Sequence, residues 1–344
     1  LLRVLGIESS CDETAAAVVA EDKRILSNII SSQIENHERF GGVVPEIAAR
    51  AHMENIDYIV AQAVEQAGVG LDDLDAVAAT CGPGLIGGVI VGMMAGKTIA
   101  SVLNKPFIGV NHLEGHALSP LLSDNVSFPY VLLLVSGAHT QLVIAEDVGV
   151  YHLLGTTLDD AVGECFDKAG RMLGLPFPGG KYVAGQAALC ADRGQARDKF
   201  PLPRPLKGRK DCNFSFSGLK TAVMKHCENP LSDGDVIDLC ASLEDAIADV
   251  MEDRCARAID LFQARYGVDR PHLVSGGGVA ANTTIRDRLI ALTRERNMIF
   301  TAPPAALCTD NGAMIAWVGI ERLKRNLISD LAMKARPRWP LEEL

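Results

Sequence analysis

The sequence predicts an α/β protein of two duplicated lobes, each a mixed sheet with helices on both faces. Strand-like runs and helix-length patterns follow one another in the order β-β-β-α-β-α-β-α, and the same order then returns. The turns at matching places also share their chemistry. SCDET (Ser10 to Thr14) and SGAHT (Ser136 to Thr140) each join a strand to its hairpin partner, while TCGPGL and SGGGVA each follow a short strand and open a helix. With 344 residues, 48% apolar and 22% charged, the chain is long enough for two ordinary domains with a substantial core.

The first half opens with three strand-like runs, Arg3 to Glu8, Thr14 to Ala20 and Arg24 to Ser32. An amphipathic helix follows from about Pro45 to Gln66, then a strand at Ala76 to Thr80, a glycine turn and a helix. The strand PFIGVN and a helix carrying NHLEGH close the half. From Tyr130 the order repeats with YVLLLVS, TQLVIAE and YHLLGTT, then a helix over Leu158 to Leu173. A Pro/Gly-rich, basic stretch from Gly174 to about Asp235 interrupts it. A long helix (Val236 to Tyr266), the strand HLVS, the turn GGG, a helix from about Asn282, the strand MIFTA and a helix over Asn311 to Lys324 complete the pattern.

A formal net charge of -10 argues against wholesale coating of nucleic acid. One local basic stretch stands out: Arg193, Arg197, Lys199, Arg204, Lys207, Arg209 and Lys210 accompany the single acid Asp198, as a solvated loop or as a local patch for nucleic acid. Nine cysteines without a CxxC pair read as neither a disulfide framework nor a thiolate zinc site, and suit a reducing compartment. No secretory leader is visible, and the chain starts at Leu1, which leaves a processed N-terminus open. Ala76 to Gly96 carries no charge and is long enough to span a bilayer, but Pro83 and Gly84 break it into a buried strand, turn and helix.

NHLEGH sets His112 and His116 four positions apart, about 40° apart around a helix, so both imidazoles can hold one ion. Glu114 lies about 200° round from His112, on the opposite face, which excludes the HExxH protease arrangement with its adjacent general base. A carboxylate from the other lobe, with Asp310 the first choice, would complete a two-His, one-carboxylate set with open positions, a pattern that holds Fe(II) or zinc. A lone Asp before a helix is also an ordinary N-cap, and the two roles are compatible. Asp12 and Glu13 in the first hairpin turn, and Asp167 on a helix, are further acids placed where a cleft between the lobes would use them. The Gly/Ser turns and helix N-termini there suit phosphate, so a nucleotide is the expected occupant. In SGGGVAAN the glycines allow close approach to a flat ligand and Asn282 offers a donor and an acceptor, although such a run also serves as a plain tight turn.

Together these residues resemble the TsaD family, the tRNA N6-adenosine threonylcarbamoyltransferases, within the actin-like and Hsp70-like (ribonuclease H-like) ATPase superfamily. The likeness runs nearly end to end through GIESSCDET, GGVVPEIAAR, GPGLIGG, NHLEGH, LVSGAHTQL, GECFDKAGRMLGLPFPGG, FSFSGLKTA, SGGGVAAN, CTDNGAMIA and RPRWPL. It implies transfer of a threonylcarbamoyl group from threonylcarbamoyl-AMP to N6 of the adenosine next to the anticodon, in tRNAs reading codons that begin with A. It also implies one divalent ion, Fe(II) ahead of Zn(II), on His112, His116 and Asp310, with His139 joining them in the catalytic set. Substrate binding would fall to Leu134, Val135, Ser136, Gly137, Ala138, Asp167, Gly180 and Asn282. The implied partners are tRNA and, in bacterial members, a shorter TsaB-like paralogue and a small TsaE-like P-loop ATPase. Mitochondrial members act more independently, with a homodimer as their form. No membrane is involved, and the compartment is the cytoplasm or the mitochondrial matrix.

On this reading residues 1–125 form the N-terminal actin-like lobe, onto which 325–344 pack back, and 126–324 form the second, with an insertion at 174–235. The sequence departs from the family's pattern at SGAHT, where SGGHT is common, and at Lys181, where PGGP is common. If position 138 needs a positive φ, its alanine costs on the order of 1 kcal/mol. An ATP-dependent small-molecule kinase of the same superfamily is the alternative, and a non-catalytic nucleotide-gated or scaffolding module is the third reading.

Overall fold

In the first half, strands β1 (Arg3–Glu8), β2 (Glu13–Ala20), β3 (Ile25–Ser32), β4 (Ala76–Gly82) and β5 (Phe107–Asn111) form a sheet of order β3-β2-β1-β4-β5. The β1/β2 hairpin is antiparallel, pairing Arg3 with Ala20 through Glu8 with Ala15, and β4 and β5 add in parallel. Every residue of β4 and β5 is buried, as expected of parallel strands covered on both faces. The helices of this half are α1 (Ile34–Glu38), α2 (Pro45–Ala67), α3 (Ile86–Val102) and α4 (His112–Ser123). The structure is a computed structural model that describes residues 1–38 and 40–344.

The second sheet repeats the plan. Strands β6 (Tyr130–Val135), β7 (Thr140–Asp147), β8 (Val150–Thr156), β9 (His272–Gly276) and β10 (Ile299–Thr301) lie in the order β10-β9-β6-β7-β8, which is the first sheet's order read from its other edge. The duplicated α/β architecture is therefore as the repeated strand and turn patterns predict. Its helices are α5 (Val162–Met172), α6 (Gly179–Ala187), α7 (Arg193–Lys199), α8 (Ser217–His226), α9 (Asp233–Arg265) and α10 (Thr283–Glu295), followed by α11 (Ala305–Cys308) and α12 (Gly312–Lys324). The stretch 174–235 thus holds three helices where irregular chain was expected. Helix α5 starts four residues late, because the Thr157 hydroxyl donates to the Asp160 carbonyl (2.7 Å) and holds a turn ahead of it.

The domain boundaries also differ from expectation. One unit comprises Leu1–Asn125, Asp147–Tyr151 and Pro303–Leu344, and the other Val126–Glu146 and His152–Ala302. Not only 325–344 but the whole of α12 lies with the first half, because its small residues bed directly on the first sheet. A Cβ on Gly6 would stand 2.2 Å from the Ala316 nitrogen, and one on Gly312 would stand 2.5 Å from the Ala17 nitrogen. The tail beyond is tied to the same unit: Arg336 N–H donates to the Cys81 carbonyl (2.8 Å) and the Asn111 amide to the Trp339 carbonyl (2.9 Å). Among the described residues no helix is long and apolar enough to cross a membrane, so Ala76 to Gly96 divides into β4, a turn and α3.

The Gly6 contact is with backbone, which cannot rotate away. Gly6→Ala should destabilise the first unit by at least about 2 kcal/mol through overpacking, read as a fall in the urea midpoint of a probe in that unit.

Candidate metal centre

The helix that carries the histidines begins at His112 because Asn111 caps it, its side chain accepting from the Leu113 N–H at 2.9 Å. His112 and His116 then sit one turn apart with ring centroids 4.8 Å apart and planes at 88°. Asp310 Oδ1 lies 3.1 Å from His116 Nε2 and 3.5 Å from His112 Nε2. One ligand atom from each of the three residues falls within 4.8 Å of the others. Asp310 is not the cap of the helix that follows it; Asn311 takes that role, accepting from Met314 N–H at 2.9 Å. The division of labour leaves the aspartate directed at the imidazoles. All three residues belong to the first unit, so the expected carboxylate from the other lobe is a carboxylate of the same one.

A second carboxylate supports the site from behind. Glu8, fully buried at the end of β1, lies 3.0 Å from His112 Nδ1 through Oε2, which also accepts from the Thr80 hydroxyl at 2.6 Å. Its other oxygen accepts from Ser10 N–H at 2.6 Å, and the Ser10 hydroxyl lies 3.1 Å from the same imidazole nitrogen. A carboxylate on Nδ1 fixes the ring's orientation and leaves Nε2 for the ion, the usual outer partner of a metal-bound histidine. Glu8, Ser10 and Thr80 were not singled out in the sequence. The signal was the glutamate that ends the strand in GIESS, overshadowed by Asp12 and Glu13 in the turn.

The local electrostatics are compatible with a bound cation. Burial acts to lower the pKa of His112, but Asp310 and Glu8 outweigh it and push the group up to about 9. For Glu8 burial acts to raise the value, and His112 reverses the direction, holding it below the ordinary carboxylate range. Glu13 is pushed up to about 10 by burial and then by Asp310 and Asp12. Carboxylates crowded this closely take up protons unless a positive ion shares the site. The donor set therefore fits a divalent metal, and its two nitrogens and one oxygen suit Fe(II) or Zn(II).

The glutamate between the histidines points the other way, as the helical angle requires. Glu114 is fully buried and accepts from Gly149 N–H (2.9 Å), the Tyr151 hydroxyl (3.1 Å) and Arg322 Nε (2.7 Å).

The other expected residues lie in the second unit. Leu134 and Val135 are buried at the end of β6, while Gly137 and Ala138 are exposed at the tip of the hairpin turn. Ser136 shapes this turn: its hydroxyl accepts from His139 N–H at 3.1 Å and its N–H donates to the His139 carbonyl at 2.9 Å. Ala138 is not among the residues with positive φ, so its substitution for the family's glycine carries no backbone strain. Asp167 Oδ1 accepts from Gly179 N–H at 2.7 Å, next to Gly180, where a Cβ would meet Phe166 at an ordinary 3.7 Å. Lys181 is exposed, with its ammonium 5.9 Å from the Tyr182 ring.

Two residues of the turn SGGGVAAN also have structural roles. Asn282 caps α10 through Ile285 N–H (3.0 Å) and donates to Glu244 at 2.8 Å, so one N–H and one lone pair of its amide remain. Gly277 has φ 94° and a Cβ there would lie 2.5 Å from the Val135 carbonyl oxygen, so strand packing alone demands that glycine.

The basic stretch is largely neutralised by acids, most of them on α9. Arg193 pairs with Glu244 and Asp245, Lys199 with Asp235 and Asp238, and Arg204 with Asp249, at 2.7 to 2.9 Å. Arg197 is 3.9 Å from Asp245 and Arg209 is 3.1 Å from Asp211. Only Lys207 and Lys210 add exposed charge without such a pair among the described residues. As a tRNA contact this stretch is weak, since its charge is already answered. The nine cysteines are all free, and none belongs to the His-His-Asp group.

The profile of one family, TsaD: tRNA N6-adenosine threonylcarbamoyltransferase, matches residues 24–317. Curated proteins of that name are 55% identical over 99% of this chain and 95% of the relative in Rhodospirillum rubrum, and 54% identical over 98% and 97% in Paramagnetospirillum magneticum. A Brucella anthropi protein of the same name is 54% identical over 99% of this chain and 96% of its own. Among solved structures, HypF of T. kodakarensis superposes on 94% of this chain and 48% of its own with a TM-score of 0.61 at 12% identity. Component A of the Acidaminococcus fermentans (R)-2-hydroxyglutaryl-CoA dehydratase matches 94% of this chain and all of its own with a TM-score of 0.52 at 15% identity. At such identities these two show the fold alone.

A raised His112 pKa makes metal uptake pH-dependent. An ion on His112 must displace a proton held up to about pH 9, so affinity is weakest in acid and rises with pH until that point. Titration calorimetry of the metal at pH 6, 7 and 8 should show affinity climbing by up to about tenfold per unit; a flat profile would remove His112 from the ligand set.

Proposed function

The chain belongs to the TsaD family, the tRNA N6-adenosine threonylcarbamoyltransferases, and from that premise we propose how its residues divide the reaction. The enzyme is an acyltransferase that forms N6-threonylcarbamoyladenosine in tRNA. Its donor on this reading is threonylcarbamoyl-AMP, and its acceptor is N6 of the adenosine beside the anticodon in tRNAs reading codons that begin with A. The observation that carries the reading is the convergence of His112, His116 and Asp310 within 4.8 Å, backed by Glu8.

His112, His116 and Asp310 hold one divalent ion, Fe(II) in preference to Zn(II), because two imidazoles and one carboxylate without a thiolate match the non-haem iron pattern. The chemistry a bound ion supplies there is Lewis-acid polarisation of an acyl carbonyl, which a weakly nucleophilic adenine amine needs. Glu8 keeps the His112 ring oriented, with Ser10 and Thr80 in turn holding the Glu8 carboxylate. Leu134 to Ala138 carry the adenylate, the exposed backbone at Gly137 and Ala138 approaching the phosphate that leaves with AMP. Asp167, already anchored by Gly179 N–H, binds ribose hydroxyls, with Gly180 beside it, and the remaining amide valences of Asn282 serve the nucleoside. To His139, which follows the phosphate-binding turn in sequence, we assign the management of a proton at the acceptor amine.

A kinase of the same superfamily needs acids for magnesium and a hydroxyl to phosphorylate, and gives no role to a histidine pair. The relatives at 54 to 55% identity carry the transferase name throughout.

The partners on this reading are tRNA, a shorter TsaB-like paralogue and a small TsaE-like P-loop ATPase, the bacterial set, since the relatives above are bacterial. Supporting a protein partner, α3 exposes Ile86, Ile90 and Met94 at four-residue spacing, with Met53 and Tyr58 exposed on α2, against which α3 packs. A stripe of this kind on one helix face is the pattern of an apolar interface. The mitochondrial homodimer is the alternative outcome.

Two experiments test these assignments. His112→Ala and Asp310→Ala should each fold, bind no metal and lose more transfer activity than the roughly 10- to 100-fold that an outer partner of a metal ligand costs, measured as modified nucleoside in a tRNA digest. Full activity after exhaustive metal removal would refute the assignment. Ile90→Glu should leave metal binding unchanged and weaken association with the paralogue by about 2 kcal/mol, read by titration of the two purified proteins.

A further inference from the structure

The unusual position of Glu114 invites a role beyond capping a charge. It lies in the first turn of α4, between the two histidines, it is fully buried, and neither of its oxygens faces the metal ligands. Oε2 accepts from Arg322 Nε at 2.7 Å, and Oε1 accepts from the Tyr151 hydroxyl at 3.1 Å and Gly149 N–H at 2.9 Å. Arg322 stands near the end of α12, the helix whose beginning is set by Asn311, directly after Asp310. The helix that carries both histidines and the helix that begins just after Asp310 are therefore joined by this buried ion pair.

The crossing point lies between. At Gly115 the helices approach so closely that a Cβ would stand 3.0 Å from Ile315 Cδ1 and 3.1 Å from Met314 Cγ. Around that pivot the histidines project to one side and Glu114 to the other. Rotating α4 by one residue's worth of twist would carry both imidazoles off Asp310 by about 100° of helix azimuth. A smooth Gly-on-aliphatic contact resists such rotation poorly, because it is non-directional. A doubly anchored carboxylate resists it well, because its hydrogen bonds fix direction as well as distance.

We propose that Glu114, clamped by Arg322, Tyr151 and Gly149, is a positioning residue of the metal site that sets the rotation of α4 against α12 and so brings His112 and His116 onto Asp310. The inference rests on the metal assignment made above. It also explains why a residue unable to reach the ion is a charged one: an unpaired carboxylate in this core would be costly, while a paired one defines geometry.

The test uses the full chain, stripped of metal and titrated with Co(II), whose visible ligand-field bands report coordination geometry. Glu114→Gln should weaken Co(II) binding about tenfold or more and change the band shape, with kcat lowered and the KM for tRNA unchanged. Because that variant leaves Arg322 unpaired, two others accompany it. E114Q/R322M removes both charges together, and Tyr151→Phe removes a single hydroxyl; the first should match the tenfold loss while folded, and the second should show a loss of about threefold. Parental affinity and bands in Tyr151→Phe, or in any folded Glu114 variant, would overturn the clamp. Parental protein that takes up no Co(II) at all would overturn the metal assignment itself, and the clamp with it.

Discussion

The approach of α12 to the first sheet is the constraint on which the site depends. Helix and strand backbones touch there, at Gly6 and Gly312, with no side chains between them. Packing a helix this close is open only to residues without a Cβ. Its consequence is positional: the chain segment before α12 is brought over the end of β1, where Glu8 is buried, and beside the first turn of α4. Asp310 reaches the imidazoles because backbone packing delivers it there. It is not drawn in by a long flexible side chain, and the site is correspondingly rigid.

Within that frame the charges balance in layers. Glu8 and Asp310 grip His112 from its two nitrogens, Nδ1 at 3.0 Å and Nε2 at 3.5 Å. Removing either carboxylate would leave the buried imidazole one acidic partner in place of two, where low polarity makes charges interact strongly. Behind the helix, Glu114 and Arg322 form a second pair that does not mix with the first, since the helix itself stands between them. The motif HLEGH thus serves two purposes with one periodicity, ligation on one face and anchorage on the other.

Several features legible in the sequence came through because they depend on local chemistry. The helical angle alone ruled Glu114 out as a general base and paired His112 with His116. The two hairpin turns and two glycine turns located the duplicated sheets. The helix starts expected at Asn311 and from about Asn282 coincide with capping residues, whereas α9 begins three residues before the expected Val236, capped by Ser232. Other features were misread where local signals are ambiguous. Proline and glycine made 174–235 look irregular, whereas α6, α7 and α8 form there because α5 and α9 offer them surfaces to pack on. The basic stretch looked available for tRNA because its counter-charges, on α9, lie some forty residues away in sequence.

What the sequence determined by itself was the element order, the duplication, the histidine spacing and, through its motifs, the family. Those follow from periodicity and from residue types that act on their immediate neighbours. Only the tertiary structure decided that Asp310 belongs to the same unit as its histidines, that Glu8 braces His112, and that Asn282 and Gly277 already serve the fold. Each of these depends on which atoms meet across 38 to 198 residues of intervening chain, a matter of packing geometry that no local pattern encodes.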